Sequence, residues 1–280
     1  MNTDWKKYGP AWLLDRVPHA DNMDITKDAV KKLLSSSSGV FARWTTNFDK
    51  STKREWWWCI KDDEVHLEQF TAKQRYRINK GLKMIEVTRV AGDEAHKYAE
   101  SLYVLAQKKL EEYPSKYRPK VEKEEYINAI IQNANVQDYW ICCDKESGIF
   151  CGYAKCMFKE DIVLLAGVKV LQPYMNKEVN AVLIYKICEY YINQRQKRYV
   201  CDGERNIKHE TSYQEYLCRV LNFRYAYCDL HILYKSYLGV LVKLLFPFKN
   251  LLKKLSDKSQ LLYNIYCILE QERIAKVYRK

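Results

Sequence analysis

The chain has 280 residues, enough for roughly two domains, and its 48% hydrophobic residues can supply a sizeable core. Only nine Gly and six Pro are present, which excludes a collagen-like or broadly disordered chain. The net charge of +12 predicts anionic partners such as phosphate groups, nucleic acid or an acidic membrane face.

The ten cysteines lie mostly in apolar runs and form no CxxC pair. They therefore predict reduced thiols in a cytosolic protein rather than zinc ligands or disulfides. Residues 1–10 lack the apolar core of a signal peptide. No stretch of 18 apolar residues occurs, so we expect no transmembrane helix.

The N-terminal part predicts one short helix and two strands. The helix is expected over residues 24–34, with Asp24 or Thr26 as its N-cap. Strands are expected over Val40–Phe48 and Arg54–Ile60, and the consecutive tryptophans of the second strand require cover on both of its faces.

A strongly basic helix is predicted over Thr71–Leu82, with Gly81 as its stop signal. No acidic residue interrupts it. Arg75 and Arg77 are therefore candidates for holding a phosphorylated donor or acceptor. The alternative is a solvated helix that links two domains.

From residue 85 onwards the predicted elements follow the order β-α-α-β-β-β-α-β-α-β. The strands are Ile85–Val90, Asp138–Asp144, Ile149–Phe158, Ile162–Leu171, Tyr199–Cys201 and Asn222–Tyr234, and the helices are 93–112, Lys123–Asn133, Asn176–Gln194 and one that begins at Thr211. A helix between the fourth and fifth strands makes their junction the expected ligand cleft, because parallel strands so joined splay at their carboxyl ends.

This order over residues 85–235 resembles the GNAT acyltransferase fold. The run that ends at Tyr234 is similar to the closing helix and strand of that fold, with Asn222 in place of the usual Gly and Phe223 as the aromatic residue. The run Thr71–Val90 is similar to the segment that joins the two halves of Fem-type peptidyltransferases. The resemblance implies an α/β (α+β) fold with a mixed central sheet flanked by helices.

Three parts follow from this resemblance. Residues 1–70 would be a partial N-terminal domain, residues 71–235 a GNAT-like acyltransferase domain, and residues 236–280 basic amphipathic helices. The last part holds nine basic and three acidic residues. It is typical of an interfacial helix on an anionic membrane, or of a helical pair packed on the catalytic domain. The implied location is the cytoplasm, including a peripheral position at the inner face of the cell membrane.

GNAT enzymes bind the pyrophosphate of acetyl-CoA with a Q/R-x-x-G-x-G/A loop before a helix N-terminus. The corresponding residues 172–181 contain neither glycine. Gln172, Asn176 and Lys177, together with Lys169, are the candidates for a modified phosphate loop. In the alternative interpretation, Asn176 is only a helix cap.

Two donors therefore stay open. Acetyl-CoA or another acyl-CoA is the usual GNAT donor, whereas Fem-type relatives use aminoacyl-tRNA. No metal is implied.

The densest polar cluster of the chain, residues 202–211, is expected beside the cleft. Acyl transfer to an amine needs a base and an acid. His209 is suited to be the base, since histidine has an ordinary pKa of about 6.5. Asp202 or Glu204 could orient it or act as the base, and Arg205 could hold a phosphate or carboxylate. An ordinary turn before a helix N-terminus is the alternative.

Three aromatic residues complete the set of candidates. In many GNAT enzymes a Tyr on the helix after the fifth strand protonates the departing thiolate, and Tyr213 and Tyr216 lie on that predicted helix. Trp140, within the second predicted strand of the GNAT-like part, is a candidate substrate contact.

The resemblance thus implies transfer of an acyl or aminoacyl group to an amine. The acceptor would be an amino sugar of a bacterial surface-polysaccharide precursor, including a lipid-linked one. The alternative is a non-catalytic GNAT-like module that binds RNA or an anionic membrane surface. The absent glycines favour the module, and the polar cluster favours the enzyme.

Overall fold

A computed structural model of the chain describes residues 4–113, 120–208 and 212–277. The chain folds into two compact units. The first unit contains Met1–Cys59, Glu204–Ser212 and Tyr225–Lys280, and the second contains Ile60–Gly203 and Tyr213–Arg224. The three-part division that the sequence suggests stays a prediction.

The first unit is built on a mixed sheet. Its elements are β1 (Trp5–Tyr8), β2 (Ala11–Leu14), α1 (Lys27–Ser35), β3 (Phe41–Lys50), β4 (Trp57–Lys61), β10 (Arg224–Tyr234), α7 (Ser236–Leu245), α8 (Lys249–Leu255) and α9 (Gln260–Lys276). Strands β2 and β3 are parallel, whereas β1–β2 and β3–β10 are antiparallel. The sequence analysis missed β1 and β2, because strands of four residues are too short to show a period.

Helix α1 has one of the two N-cap residues that the sequence predicts. The Thr26 hydroxyl accepts a hydrogen bond of 3.2 Å from the Ala29 N–H, so Thr26 is the N-cap. Asp24, the other candidate, instead pairs with Arg16 at 2.7 Å. The apolar face of α1 then packs on β1 and β3 in a core of Trp5, Val30, Leu34, Ala42 and Trp44.

The C-terminal helix α9 belongs to the core of the first unit. Ile274 and Ala275 are fully buried and pack with Leu230 and Ile232 of β10 and with Trp56. Fully burying one such aliphatic side chain stabilises a fold by about 1.5–3 kcal/mol. The packed-helix alternative for the tail therefore describes α9, while α7 and α8 leave apolar side chains exposed.

The second unit has the element order that the sequence predicts. Its elements are α2 (Ala72–Met84), β5 (Ile85–Val90), α3 (Ala99–Glu111), α4 (Lys123–Gln132), β6 (Gln137–Asp144), β7 (Phe150–Lys159), β8 (Ile162–Val170), α5 (Val179–Cys188), β9 (Val200–Glu204) and α6 (Ser212–Leu221). The strands lie in the order β9-β8-β7-β6-β5, and only β8 and β9 are parallel. The prediction of a mixed sheet with flanking helices is confirmed.

The two faces of this sheet carry different helices. Tyr139, Ile141 and Tyr153 point to one face and share a core with α3 and α4. Trp140 points to the other face, where it meets Tyr191 in the π-helical turn that extends α5 over Glu189–Gln194. The alternation of side chains along β6 thus gives each helical layer its own set of contacts.

A buried carboxylate joins three segments of the second unit. Asp138 of β6 is 3% exposed. It accepts hydrogen bonds from Arg89 Nε and the Tyr191 hydroxyl, both at 2.6 Å, and from the Gly92 N–H at 3.2 Å. Because a buried charge is costly unless it is paired and hydrogen-bonded, these three donors fix β5, the turn after it and the end of α5.

Helix α2 differs from the prediction at its C-terminal end. Gly81 does not end the helix, which continues to Met84. A Cβ atom at Gly81 would lie 2.6 Å from the Val182 Cβ, so the missing side chain lets α2 approach α5 closely. The side chain of Gln74 donates to Asn222 Oδ1 at 2.8 Å. Helix α2 is therefore packed in the second unit, in contrast to the predicted alternative of a solvated link.

Asn222 occupies the position where the GNAT fold usually has glycine. Its φ is +55°, in the left-handed region that closes α6 before β10. Asparagine is enriched in this region because its short polar side chain tolerates it.

The cysteines are free thiols, and eight of the ten are buried. Burial raises the pKa of Cys151 to about 12. Within the described ranges, no group of three or more His, Cys, Asp or Glu side chains could hold a metal ion. No helix of the described chain combines the length and the hydropathy that crossing a bilayer requires.

The turn after β5 generates a stability prediction. A Cβ atom at Gly92 would lie 1.9 Å from the Ala134 carbonyl oxygen and 2.2 Å from that of Gln137. We expect Gly92→Ala to lower the free energy of unfolding by about 3 kcal/mol, since neither backbone group can move aside cheaply. The matched control is Gly239→Ala in α7, where space is available and alanine should stabilise by about 0.5–1 kcal/mol. Urea unfolding measures both, and equal effects would contradict the packing described.

Candidate active site

The sequence predicts a ligand cleft at the junction of β8 and β9, which pair in parallel over a short ladder. Their parallel ladder consists of Val163 opposite Val200 and Leu164 opposite Cys201. Beyond these pairs β8 continues to Val170. Parallel strands that separate at their carboxyl ends leave backbone groups of both strands open to a ligand.

A β-bulge lies on β8 directly beyond the ladder with β9. Cys156 of β7 pairs with Leu165, but the next residue, Lys155, pairs with Gly167. Ala166 is therefore the extra residue of the bulge. A bulge leaves its extra residue outside the regular ladder and turns the strand. Ala166 and Gly167 thus lie two and three residues beyond Leu164, the last residue of β8 that pairs with β9.

Asp202 follows the last β9 residue that pairs with β8. Burial raises the pKa of its carboxyl to about 7, and a hydrogen bond with Gln214 only partly opposes this. Gly203, with a φ of +109°, continues the strand, and its carbonyl oxygen accepts a hydrogen bond of 3.4 Å from Gln214. A carboxyl group with a pKa near neutrality can take up and release a proton under ordinary conditions.

The polar cluster does not form the predicted turn at its start. Asp202 and Gly203 lie within β9, and Glu204 is the last residue of that strand. The predicted strand Tyr199–Cys201 was therefore too short, because turn-forming residues at its end concealed its continuation.

Glu204 sits in a side-chain network of the first unit. Its carboxylate pairs with Arg43 and accepts a hydrogen bond of 3.0 Å from Trp56 Nε1. Arg43 also donates to Gln271 at 2.8 Å. This network borders a cavity of about 30 Å³, which has room for about one water molecule. The surroundings of Glu204 are those of a structural ion pair.

Arg205 is likewise held within the first unit. Its guanidinium lies 4.7 Å from the centre of the Trp57 ring and donates to the Glu55 carbonyl oxygen. Desolvation lowers the pKa of Arg205. The contacts with Glu55 and Trp57 orient the side chain that the sequence suggests for binding a substrate anion.

His209 and Thr211 lie outside the described residues. Tyr213 and Tyr216 lie on α6, as predicted, with their rings stacked at 6.1 Å between centroids. Burial, and then the nearby Glu178, raise the pKa of Tyr216, so its hydroxyl keeps its proton.

The start of α5 is occupied by internal ion pairs. Glu178, in the left-handed region at φ +59°, precedes the helix and pairs with Arg77 Nε at 3.1 Å. Lys177 pairs with Asp144 at 2.7 Å, which helps to lower the pKa of that carboxyl. The candidates Arg77 and Lys177 are thus paired with carboxylates where the GNAT fold would receive a pyrophosphate.

The remaining loop and helix candidates are also placed by the structure. Asn176 is exposed in a 3-10 segment and does not cap α5, so that interpretation was wrong. The Gln172 N–H donates to Glu112 Oε1 at 2.7 Å. Arg75 donates to the carbonyl oxygen of Phe70 at the start of α2. Trp140 is buried and donates to the Tyr191 hydroxyl at 3.4 Å.

Lys169 lines a separate pocket that the sequence did not reveal. Helix α4 covers part of β6, β7 and β8 and leaves a cavity of about 210 Å³. Its lining includes Lys155, Lys169, Tyr126, Tyr139, Tyr153 and Gly167. These residues are scattered along the sequence, and only the register of the strands brings them together.

The raised pKa of Asp202 predicts how stability depends on pH. The folded carboxyl binds its proton up to about pH 7, whereas the ordinary value is 3.8. The folded state therefore holds more protons between these values, and stability falls as the pH rises through 7. We expect Asp202→Asn to raise the free energy of unfolding by about 2–4 kcal/mol at pH 8 and to have little effect at pH 4.

Urea unfolding at pH 4, 6 and 8 measures this effect. The control is Asp257→Asn, which removes an exposed carboxylate elsewhere in the chain. An Asp202→Asn effect that does not depend on pH would contradict the buried carboxyl.

No protein-family model and no curated protein sequence matches this chain. Among solved structures, it is similar to the C-terminal domain of a candidate lysylphosphatidylglycerol synthetase from Agrobacterium fabrum. The TM-score is 0.56 at 12% identity, over 86% of this chain and 82% of that one.

FemX gives the same TM-score of 0.56, at 10% identity over 86% and 85% of the two chains. A tandem GNAT protein from the clavulanic acid biosynthesis pathway aligns at a TM-score of 0.45 and 10% identity, over 80% and 75%. With the observed order of elements, the first two likenesses identify the fold: the chain shares the fold of FemX and of the synthetase domain, which confirms the prediction of a GNAT-like, Fem-like fold.

Proposed function

We propose that the chain is an acyltransferase that moves an aminoacyl group from tRNA to an amine, with Asp202 as the general base. The observation that carries this proposal is the position of Asp202 at the parting of β8 and β9, with a pKa of about 7. Fold alone does not determine activity, so the proposal rests on this site.

The proposed reaction uses the Asp202 carboxylate, the main chain of the β8 bulge and the Tyr216 hydroxyl. The acceptor nitrogen attacks the ester carbonyl carbon of the donor, and the Asp202 carboxylate takes the proton that the nitrogen loses. The main-chain N–H groups of the bulge at Ala166 and Gly167 are the candidates to stabilise the oxyanion. The C–O bond then breaks, and Tyr216, whose hydroxyl keeps its proton, is the candidate acid for the departing oxygen.

The ion pairs at the start of α5 favour aminoacyl-tRNA over acyl-CoA as the donor. A pyrophosphate near this helix N-terminus would meet the Glu178 carboxylate, and Lys177 is already paired with Asp144. Like charges at such distances repel, which opposes binding of the CoA phosphates. Neither glycine of the phosphate loop is present to offset this repulsion.

Helix α2 supplies a surface suited to RNA. Lys73 and Lys83 are exposed, and Tyr76 between them is 66% exposed. Lysines can contact phosphates, and an exposed aromatic ring can stack on an unpaired base. This combination supports an RNA donor. It agrees with the sequence-based hypothesis that the basic helix holds a phosphorylated donor or acceptor.

The donor can be tested without knowing the acceptor. Hydroxylamine, a small nucleophile, replaces the acceptor amine, and the loss of labelled amino acid from charged tRNA is followed beside the loss of acetyl from acetyl-CoA. We expect acceleration with charged tRNA only, and a loss of about 10²-fold or more in Asp202→Asn. The wild-type rate should rise with pH around an apparent pKa near 7.

Asp161→Asn, an exposed carboxylate of the same unit, is the control variant. Acceleration with acetyl-CoA alone would overturn the donor assignment. An unchanged rate in Asp202→Asn would overturn the base. Salt-sensitive tRNA binding without any acceleration would favour the non-catalytic module.

For the acceptor, we propose an amino sugar on a lipid-linked glycan precursor at a membrane surface. The observation that favours this location is an exposed apolar face on α7 and α8, formed by Tyr237, Val240, Leu241, Leu244, Phe248 and Leu251. Lys243, Lys253, Lys254 and Lys258 are exposed around it. Apolar side chains flanked by lysines suit insertion at the surface of an anionic bilayer.

Vesicle sedimentation tests this location. We expect binding to vesicles that contain phosphatidylglycerol but not to phosphatidylcholine alone, and a loss of roughly tenfold or more in the double variant Leu244→Ser, Phe248→Ser. Ile149→Ser, which removes an exposed apolar side chain of the other unit, is the matched control. Equal binding by the two variants would contradict the proposal.

A further inference from the structure

The lining of the pocket under α4 contains two lysines and no acidic side chain. Lys155 and Lys169 lie on adjacent antiparallel strands, where Lys155 is opposite Gly167 and Lys169 is opposite Tyr153. Both ammonium groups therefore belong to the same face of the sheet, and both line the cavity of about 210 Å³. Two like charges so placed raise the energy of the empty site.

Lys169 has no hydrogen-bond or ion-pair partner within residues 4–113, 120–208 and 212–277. Desolvation, and then the charges of Lys109 and Lys155, lower its pKa. Lys109 is paired with Glu112 at 2.6 Å, so that carboxylate is already engaged. A partly buried lysine without an acidic partner is costly unless an anion completes the site.

The other walls of the pocket can complete an anion site. The Tyr126 and Tyr153 hydroxyls are 2.7 Å apart, and burial raises the pKa of both groups. Burial likewise raises the pKa of Tyr139. The three hydroxyls therefore stay protonated. One O–H of the Tyr126–Tyr153 pair donates to the other hydroxyl, which leaves the second O–H of the pair for a ligand. Ala129 and Ile130 of α4 add apolar surface beside the aromatic rings.

We propose that this pocket binds a small organic oxyanion, a carboxylate or a phosphate monoester, whose charged group lies between Lys155 and Lys169 and whose apolar body lies against the tyrosine rings. The cavity holds about seven waters at roughly 30 Å³ each, which suits a ligand of the size of a substituted benzene ring. Ala166 and Gly167 belong both to the lining of this pocket and to the bulge that the proposed reaction uses. Occupancy of the pocket can be measured without turnover, so this proposal and the proposed function can fail separately.

Thermal unfolding of the whole chain tests the site with phenyl phosphate, benzoate and inorganic phosphate as probes. We expect phenyl phosphate or benzoate to raise the Tm by roughly 3 °C at about five times its Kd, and inorganic phosphate to bind more weakly. The probe that binds more tightly distinguishes a phosphate monoester from a carboxylate as the natural group.

Lys169→Met keeps the aliphatic stem and removes the charge. We expect it to raise the Tm of the empty protein, because an uncompensated charge is removed, and to weaken binding of the aromatic probe by about tenfold or more. The control is Lys108→Met, which removes an exposed lysine of the same unit and should leave probe binding unchanged.

A second measurement uses the wild-type chain alone. A lysine with a lowered pKa has more neutral amine, so Lys169 should react with acetic anhydride at pH 8 faster than exposed lysines do, and the probe should protect it. The proposal is wrong if no probe raises the Tm, if Lys169→Met binds as tightly as wild type, or if the probe leaves the acetylation of Lys169 unchanged.

Discussion

The second unit depends on the buried carboxylate of Asp138. Without its three donors this charge would be unstable in the core, so Arg89, Tyr191 and the Gly92 N–H must all be in place when the sheet forms. These donors come from the edge strand β5, from the turn that leads to α3 and from the turn that extends α5. One buried side chain thereby connects the edge strand to segments on both faces of the sheet.

At the start of α5 the same unit has ion pairs and close helix packing rather than glycines. Gly81 of α2 lets that helix approach Val182, and the approach brings Arg77 within reach of Glu178. The N-terminus of α5 then faces a carboxylate of its own chain. A helix N-terminus stabilises a nearby negative charge from any group. The carboxylate of Glu178 and the phosphate of a ligand would therefore compete for the same position.

The sequence predicted the order of elements because strand and helix periods are local properties, and all ten elements from β5 to β10 appear in that order. It did not predict the role of Gly81, since a glycine that permits close packing looks the same as one that ends a helix. It named Asp202 but placed it after the strand, because Asp-Gly is also a turn signal. The pocket of Lys155 and Lys169 could not be predicted, because the sequence does not show how β7 and β8 are aligned or that a bulge lies at Ala166.

The first unit is assembled from both ends of the chain, and this has a consequence for synthesis on the ribosome. Strands β1, β2 and β3 precede residues 60–203 in the chain, whereas their sheet partner β10 and the helix α9 that packs on β10 follow them. Residues 60–203, by contrast, are continuous and hold most of the second unit. The nascent N-terminal strands must wait, with unpaired edges, while that middle segment is translated at about 5–20 residues per second. For tens of seconds β1 to β3 therefore exist without β10 and α9, and their unpaired edge is open to association with other chains.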